Sequence, residues 1–209
     1  MRYFTSDTHY GHANIIGYCD RPYPDVGAMN AALVAQAAEV LTTRDELWHL
    51  GDVALGRLAD TLPHLTAAAN GATTTLVAGN HDRCHPSNGS RSERFIELYL
   101  VACSLDTLIR TNAHLTMACG IEVQVSHFPY ATDVPELHRD AERRTHLDPW
   151  RPVDDGSWLL CGHVHEAWRQ RGRMINVGVD AWGGRPVDED TLCALIEAGP
   201  QDLPALPWR

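Results

Sequence analysis

Short runs of strand-forming residues in this chain end, one after another, in clusters of Asp, Asn and His. In the first half these runs alternate with helical patterns. Strands are predicted over residues 2–6, 46–50 and 73–78, and helices over residues 25–41 and 58–69, the second interrupted at Pro63. A β-α-β-α-β order needs crossover connections, so it predicts a sheet with helices outside it. Polar site residues are then expected at the carboxyl ends of the strands.

The second half of the chain has a different pattern. It is predicted to be mostly strands, at residues 105–109, 114–118, 121–125, 158–161, 174–177 and 192–196, which favours a second sheet packed on the first. Residues 132–156 are rich in Pro, Asp, Arg and His and are predicted to form a long exposed lid loop. Residues 199–209 contain three prolines and are predicted to be an extended tail. All 209 residues fit one domain.

Charge and composition exclude several classes of protein. The formal net charge of −10 argues against a broad nucleic-acid surface, because non-specific binding to phosphates depends on clustered Lys and Arg. A polynucleotide would have to be bound by a few specific contacts. No apolar run approaches the ~18 residues of a membrane span, and the first residues lack the apolar core of a signal peptide. Six cysteines without a C-x-x-C pair are typical of reduced thiols and favour a cytoplasmic location.

Five clusters carry the chemistry: Asp7-Thr8-His9, Gly51-Asp52, Gly79-Asn80-His81-Asp82, Ser126-His127 and Gly162-His163-Val164-His165. Each is weak alone, since a histidine is often a hydrogen-bonded core residue and Asp or Asn often serves a turn or a helix cap. Together they place carboxylates, an amide oxygen and imidazoles on one rim. Such a mixed set suits Mn, Fe, Co, Ni or Zn better than Mg or Ca. Two bridged ions are the simplest arrangement for so many ligands.

In this order the clusters resemble the five motifs of the calcineurin-like metallophosphoesterase superfamily, and they cover residues 7 to 165. The resemblance implies a four-layered α/β/β/α sandwich of two mixed sheets flanked by helices. It also implies two divalent cations, with Mn²⁺ expected first and Fe, Ni, Co or Zn as alternatives. The implied ligands are Asp7, His9, Asp52 and His165 for the first ion, and Asp52, Asn80, His127 and His163 for the second. His81 would lie beside the ions and act on the leaving group.

Two differences from the motifs of protein phosphatases narrow the choice of subfamily. Protein Ser/Thr phosphatases of this superfamily carry an acidic residue three positions after the bridging Asp, followed by Arg, and a Gly-Asn-His-Glu motif. This chain has Leu55-Gly56 and Gly-Asn-His-Asp, which disfavours a phosphoprotein phosphatase. Residues 6–16 and 19–23 are instead similar to small bacterial and phage phosphoesterases, among which 2′,3′-cyclic nucleotide phosphodiesterases are known.

The expected reaction is hydrolysis of a phosphodiester in a nucleotide or oligonucleotide, by a hydroxide held between the two ions. His81 is the expected general acid. His12 and Arg21 are candidates for substrate contact, against the alternatives of a helix-start histidine and a surface arginine. A phosphomonoesterase with the same ions is the main alternative. A non-catalytic scaffold is disfavoured, because all seven expected ligands and His81 are present. The expected partner is a small nucleotide or other phosphodiester substrate, without a membrane.

Overall fold

The computed structural model describes residues 1–131 and 147–208, so most of the predicted lid loop, residues 132–146, lies outside the described residues. Its first sheet has the strand order β10-β1-β2-β3-β4. The strands are β1 (Arg2–Thr5), β2 (Glu46–His49), β3 (Thr73–Val77), β4 (Thr107–Ile109) and β10 (Val187–Asp188). Strands β1 to β4 are parallel and β10 is antiparallel to β1. The first half of the chain therefore forms the expected crossover units.

The second sheet has the strand order β11-β8-β9-β7-β6-β5. Its strands are β5 (Asn112–Thr116), β6 (Glu122–Ser126), β7 (Trp158–Cys161), β8 (Gln170–Gly172), β9 (Met174–Asn176) and β11 (Gln201–Leu203). The central strands β6, β7 and β9 are parallel, and the outer pairs are antiparallel. The mixed α/β architecture with two mixed sheets is confirmed.

Helices connect the strands of the first sheet and cover one of its faces. They are α1 (Ala13–Tyr18), α2 (Val26–Ala38), α3 (Leu58–Thr61), α4 (Pro63–Ala69) and α5 (Ile96–Ala102). Asp25 caps α2 by accepting a hydrogen bond from the Ala28 N–H at 2.8 Å. Pro63 splits the predicted helix over residues 58–69 in two, because proline has no N–H for a helix interior but suits a first turn.

Alternation along the strands of the first sheet builds the two main apolar cores. Leu47 and Leu76 belong to the core under α2 and α4, whereas Trp48 belongs to the core that also contains Leu160 and Ile175 of the second sheet. Successive side chains of a strand point to opposite faces. The first sheet is thus buried on both faces, between the helices on one side and the second sheet on the other.

Two of the predicted strands are placed differently by the structure. Residues 105–109 were expected in the second sheet, but β4 pairs in parallel with β3 in the first. The strand predicted over residues 192–196 is wrong, because a C-terminal helix, Glu189–Ala198, occupies this region. The Asp188 carboxylate caps that helix by accepting from the Thr191 N–H at 2.8 Å, and Leu192 and Ile196 are buried one helical turn apart.

The structure also adds elements that the sequence patterns did not indicate. These include α1, α5, the strands β8 and β10, and an irregular segment, Pro86–Phe95, which bends at Gly89. Within the predicted extended tail, Gln201–Leu203 joins the second sheet as β11. No helix among the described residues is long and apolar enough to cross a membrane.

Candidate metal centre

The clustered polar residues lie where strands end. Asp7 follows β1, Asp52 follows β2 and Asn80 follows β3, at the carboxyl edge of the first sheet, while His127 and His163 follow β6 and β7 of the second. The carboxyl ends of parallel strands meet at one edge of a sheet. A parallel bridge between Ser6 and Gly178 joins the two sheets there. The fold therefore gathers residues from the whole chain into one site.

Five of the clustered polar residues have unusual backbone conformations, which set the direction of their side chains. Asp7, His9, Asp52, His163 and His165 have φ angles between 49° and 71°, in the left-handed region that residues other than glycine rarely adopt. They are five of the eight non-glycine residues with positive φ in the described ranges. Each such residue costs on the order of 1–3 kcal/mol and persists only where the surroundings hold it. The strain is concentrated where the sequence predicted the ligands.

The first group of donors is formed by Asp7, His9 and His165, whose ligand atoms lie within 4.8 Å of one another. Asp7 is fully buried and His9 is 1% exposed. The Asp7 Oδ1 atom and both ring nitrogens of His9 are buried without a hydrogen-bond partner among the described residues. Buried polar atoms nearly always have a partner. These orphaned atoms fit a cation coordinated by this group.

The second group of donors is formed by Asp52, His127 and His163, again within 4.8 Å. The Asn80 Oδ1 atom lies 3.2 Å from His127 Nε2, and His163 Nδ1 lies 3.3 Å from the same nitrogen. His127 Nδ1 is 2.7 Å from the Leu50 carbonyl oxygen and donates its proton there. The Nε2 atom of His127 therefore faces the other donors, and in the neutral ring it carries the lone pair that a metal ligand requires.

Asp52 of the second group also lies close to the first group. Its Oδ2 atom lies 3.6 Å from His9 Nε2 of the first group and 3.4 Å from His127 Nε2 of the second. Its Oδ1 atom accepts the His81 backbone N–H at 2.9 Å, which fixes the orientation of the carboxylate. One carboxylate oxygen thus faces an imidazole of each group.

Asp82 and the motif glycines hold the loops of the site together. The Asp82 carboxylate accepts the backbone N–H groups of Asp52 at 2.8 Å, Val53 at 3.1 Å and Gly79 at 2.8 Å. A Cβ atom at Gly79 would lie 2.6 Å from the Asp52 nitrogen, so only glycine permits this approach. A Cβ at Gly162 would lie 2.5 Å from Asp7 Oδ2. These glycines keep the strand ends close enough to share a site.

A model of the calcineurin-like phosphoesterase superfamily domain matches residues 3–195. The chain belongs to the calcineurin-like phosphoesterase superfamily. It is 31% identical over 201 residues to the gene 66 protein of Mycobacterium phage L5, covering 93% of each chain. It is 34% identical over 194 residues to the gene 66 protein of Mycobacterium phage D29, covering 90% of this chain and 92% of the relative.

More distant relatives agree with the fold. An uncharacterised protein of Methanocaldococcus jannaschii is 27% identical over 205 residues, covering 94% of this chain and 92% of that protein. The crystal structure of a protein of unknown function from Aquifex aeolicus superposes with a TM-score of 0.65 at 23% identity, covering 93% of this chain and 98% of that one. Membership of the superfamily implies metal-dependent hydrolysis of phosphoesters, and the two donor groups are the candidate metal-binding residues of this phosphoesterase.

Burial and charge set the protonation of the imidazoles in the phosphoesterase site. Burial lowers the pKa of His9 and of His163 well below the ordinary value, so both rings are neutral. Burial alone would also lower the pKa of His127, but the Asp52 carboxylate outweighs it and raises the pKa to about 9. A ligand imidazole must be neutral, so protons and cations compete for His127.

Asp180 supports the first donor group and was not predicted from the sequence. Its Oδ2 atom lies 2.8 Å from His165 Nδ1, which leaves His165 Nε2 free to act as a ligand. The side chain of Asp180 is fully buried. Asp180 lies four residues after β9, so the same strand-end position that marked the other ligands was a signal for it.

Arg21 does not have the substrate-contact position that the sequence analysis suggested for it. Its side chain is fully buried, and Nε and Nη2 each lie 2.8 Å from the Asp180 carboxylate. Nη2 also donates to the Asp7 carbonyl oxygen at 2.7 Å, and Nη1 to the Thr8 carbonyl oxygen at 3.0 Å. With its donors satisfied inside the protein, Arg21 has no free surface for a substrate. It orders Asp180 and the loop after β1 instead.

His81 and His12 lie at the mouth of the site. The side chain of His81 is 47% exposed, and its Nε2 atom is 4.0 Å from Asp52 Oδ2. Its ring centre is 5.5 Å from that of His9. The His12 ring is also 5.5 Å from the His9 ring, and its Nδ1 atom has no hydrogen-bond partner among the described residues. Both rings therefore lie next to His9 of the first donor group.

Proposed function

We propose that this phosphoesterase binds two divalent cations and hydrolyses phosphodiesters of nucleotides or oligonucleotides, with 2′,3′-cyclic nucleotides among the candidate substrates. The observation that carries the proposal is the position of Asp52 between two groups of donors, with the exposed His81 ring beside it. The ligands we assign are Asp7, His9, Asp52 and His165 for one ion, and Asp52, Asn80, His127 and His163 for the other. Imidazole ligands favour Mn²⁺ over Mg²⁺, with Fe, Ni, Co or Zn as alternatives.

The residues of the chain have separate tasks in this proposal. When bound, the two cations activate a water molecule and neutralise charge on the phosphoryl oxygens. Asp180 and Arg21 hold His165 in the tautomer that presents Nε2. His81 donates a proton to the departing oxygen. Its backbone N–H is fixed on Asp52 Oδ1, while its ring stays free to reach a substrate.

A phosphomonoesterase with the same ligands is the competing proposal. A monoester dianion carries one more negative charge than a diester, so its binding gains more from an added cationic side chain. The positions at which protein phosphatases of the superfamily carry an acidic residue and Arg are occupied here by Leu55 and Gly56. This difference favours the diester.

Paired substrates test the preference. The Mn²⁺-loaded protein should hydrolyse bis-4-nitrophenyl phosphate with a higher kcat/KM than 4-nitrophenyl phosphate. Asp52→Asn should lose both activities, and His114→Gln, a matched change of an exposed histidine on β5, should lose neither. A faster monoester reaction would establish the competing proposal. Hydrolysis of neither ester by fully loaded protein would favour a non-catalytic scaffold.

We also propose that the protein works in a reducing compartment, with the cytoplasm as the candidate. All six cysteines are free thiols, and five of them are buried. Free thiols persist where thioredoxin and glutathione keep them reduced. Cells lysed in denaturant with excess alkylating reagent, followed by mass measurement of the protein, should show all six thiols alkylated, and a disulfide would contradict the assignment.

A further inference from the structure

Three arginines lie within the stretch that follows the Gly-Asn-His-Asp motif. Arg83 comes two residues after His81, and Arg91 and Arg94 belong to the segment Pro86–Phe95. All three side chains are exposed. Together with Asn88 and Phe95 they line an open surface cavity of about 380 Å³, which we call the arginine patch. Its volume is at the lower end of the roughly 300–1,000 Å³ range of small-molecule pockets.

The three arginines of the patch have no carboxylate partner among the residues that the structure describes. Within residues 1–131 and 147–208, no carboxylate forms an ion pair with Arg83, Arg91 or Arg94. The single acidic residue of this stretch, Glu93, lies 3.4 Å from Arg110 instead. Three adjacent cations repel one another, and on a chain with net charge −10 they form a local exception. Such a surface attracts an anion with several charges.

Phe95 orders the guanidinium groups. The Arg83 guanidinium carbon is 5.5 Å from the centre of the Phe95 ring, and that of Arg94 is 5.8 Å from it. Stacking on an aromatic ring limits the freedom of these two side chains, which remain exposed. Positively charged grooves with aromatic side chains are the usual surface for single-stranded nucleic acid.

The backbone joins the arginine patch to the metal centre. Asn88 Nδ2 donates to the Asp82 carbonyl oxygen at 3.0 Å, and the Arg83 N–H donates to the Tyr99 hydroxyl at 3.1 Å. Because consecutive Cα atoms are about 3.8 Å apart, the Cα atoms of Arg83 and His81 are within about 8 Å. The patch thus begins within two residues of His81, close to where the scissile phosphate of a strand would meet that side chain.

We propose that the arginine patch binds the phosphates next to the scissile one in a single-stranded oligonucleotide. This rests on the phosphodiesterase function proposed above, and it makes a strand, rather than a mononucleotide, the preferred substrate. Three guanidinium groups are few enough to agree with the acidic net charge, since they give local contacts and not a broad basic face.

The test compares the triple variant R83Q/R91Q/R94Q with wild-type protein loaded with Mn²⁺. For a single-stranded hexanucleotide, log(kcat/KM) against log[salt] should fall with a slope of about −2 in wild type, from about −0.7 per phosphate contact. Between 50 and 200 mM salt this is roughly a 20-fold loss. The triple variant should show a slope near zero and a reduced kcat/KM at low salt. Arg44→Gln, at the opposite edge of the first sheet, is the matched control and should behave as wild type.

Separate readouts distinguish the two proposals. Hydrolysis of bis-4-nitrophenyl phosphate should be unchanged in the triple variant, and its absence in wild type would count against the phosphodiesterase function alone. Fluorescence anisotropy with a labelled phosphorothioate hexanucleotide measures strand binding whatever the turnover. Wild-type affinity and salt slope in the triple variant would overturn the arginine patch as a strand site. Equal kcat/KM for a dinucleotide and the hexanucleotide, or equal affinity for a duplex, would overturn it as well.

Discussion

Replacing Asp180 with Asn tests how the first donor group is supported. The Asp180 carboxylate accepts from His165 Nδ1 at 2.8 Å and from two nitrogens of Arg21 at 2.8 Å. Burial alone would raise the pKa of Asp180, but its hydrogen bond with His165 and the Arg21 charge hold the pKa below the ordinary value. The carboxylate is therefore ionised. The substitution keeps the shape of the side chain and removes its charge.

The expected effect is local and large. Loss of a carboxylate that orients a ligand histidine weakens metal binding by about 10–100-fold, or about 1.4–2.7 kcal/mol. Only the ion held by Asp7, His9 and His165 should be affected. The variant should also be less stable, because the buried Arg21 charge loses its partner, and removing one member of a buried pair costs up to roughly 3–5 kcal/mol. Metal binding by this variant should therefore be measured well below its melting temperature.

Titration calorimetry with Mn²⁺ into chelator-treated protein separates the two ions. Asp180→Asn should show one site with the wild-type affinity and one weakened 10–100-fold. Asp106→Asn is the control, because Asp106 also accepts a backbone N–H, that of Thr74 at 2.8 Å, but at the start of β3. Two wild-type affinities, or equal weakening of both sites, would refute the support that we assign to Asp180.

Three further predictions address the chemistry and the pH dependence. Exhaustive chelation should abolish hydrolysis, and Mn²⁺ should restore it better than Mg²⁺; full activity after verified metal removal would contradict the account. His81→Ala should slow a nucleoside cyclic phosphate by about 10²–10⁴ but a nitrophenyl ester far less, because nitrophenolate leaves without a proton, and the metal content should not change. Equal slowing would mean that His81 stabilises charge instead of donating a proton. Burial lowers the pKa of His49 to about 3, so the unfolded chain, with a pKa of about 6.5, takes up the proton first. The contribution of His49 to the free energy of unfolding is complete above about pH 6.5 and decreases as the pH falls towards 3. At pH 4.5 the decrease reaches about 3 kcal/mol. Urea unfolding should show this slope in wild type and a shallower one in His49→Gln; parallel slopes would exclude His49 as its source.

Much of the first sheet could be predicted because the patterns that indicate its strands and helices lie within short stretches of sequence. The strand-end rule indicated where the polar site residues would gather, as for Asp52, three residues beyond the end of β2, and the family resemblance supplied the set of ligands. The C-terminal helix was missed because Leu192 to Ile196 is a short apolar run that fits a strand as well as a helix. The Asp188 cap decides between them, and its effect depends on where the preceding strand ends.

The support for the ligands could not be predicted in the same way. Arg21 and Asp180 are 159 residues apart and meet only because α1 and the loop after β9 pack at the same edge. In sequence, Arg21 is an arginine between two turns, for which solvent exposure is the ordinary expectation. The buried ion pair follows from tertiary packing, which no local pattern encodes.

Metal stoichiometry tests the central assignment, Asp52 as the bridge between two ions, most directly. Chelator-treated protein is reloaded with Mn²⁺, freed of excess metal and analysed for metal per chain in wild type, Asp52→Ala and Asn80→Ala. We predict about two equivalents in wild type, because the two donor groups meet at Asp52 Oδ2. Asn80→Ala should retain the ion of the first group, whereas Asp52→Ala should lose both. Two ions retained in Asp52→Ala, or equal and mild losses in the two variants, would contradict the bridge.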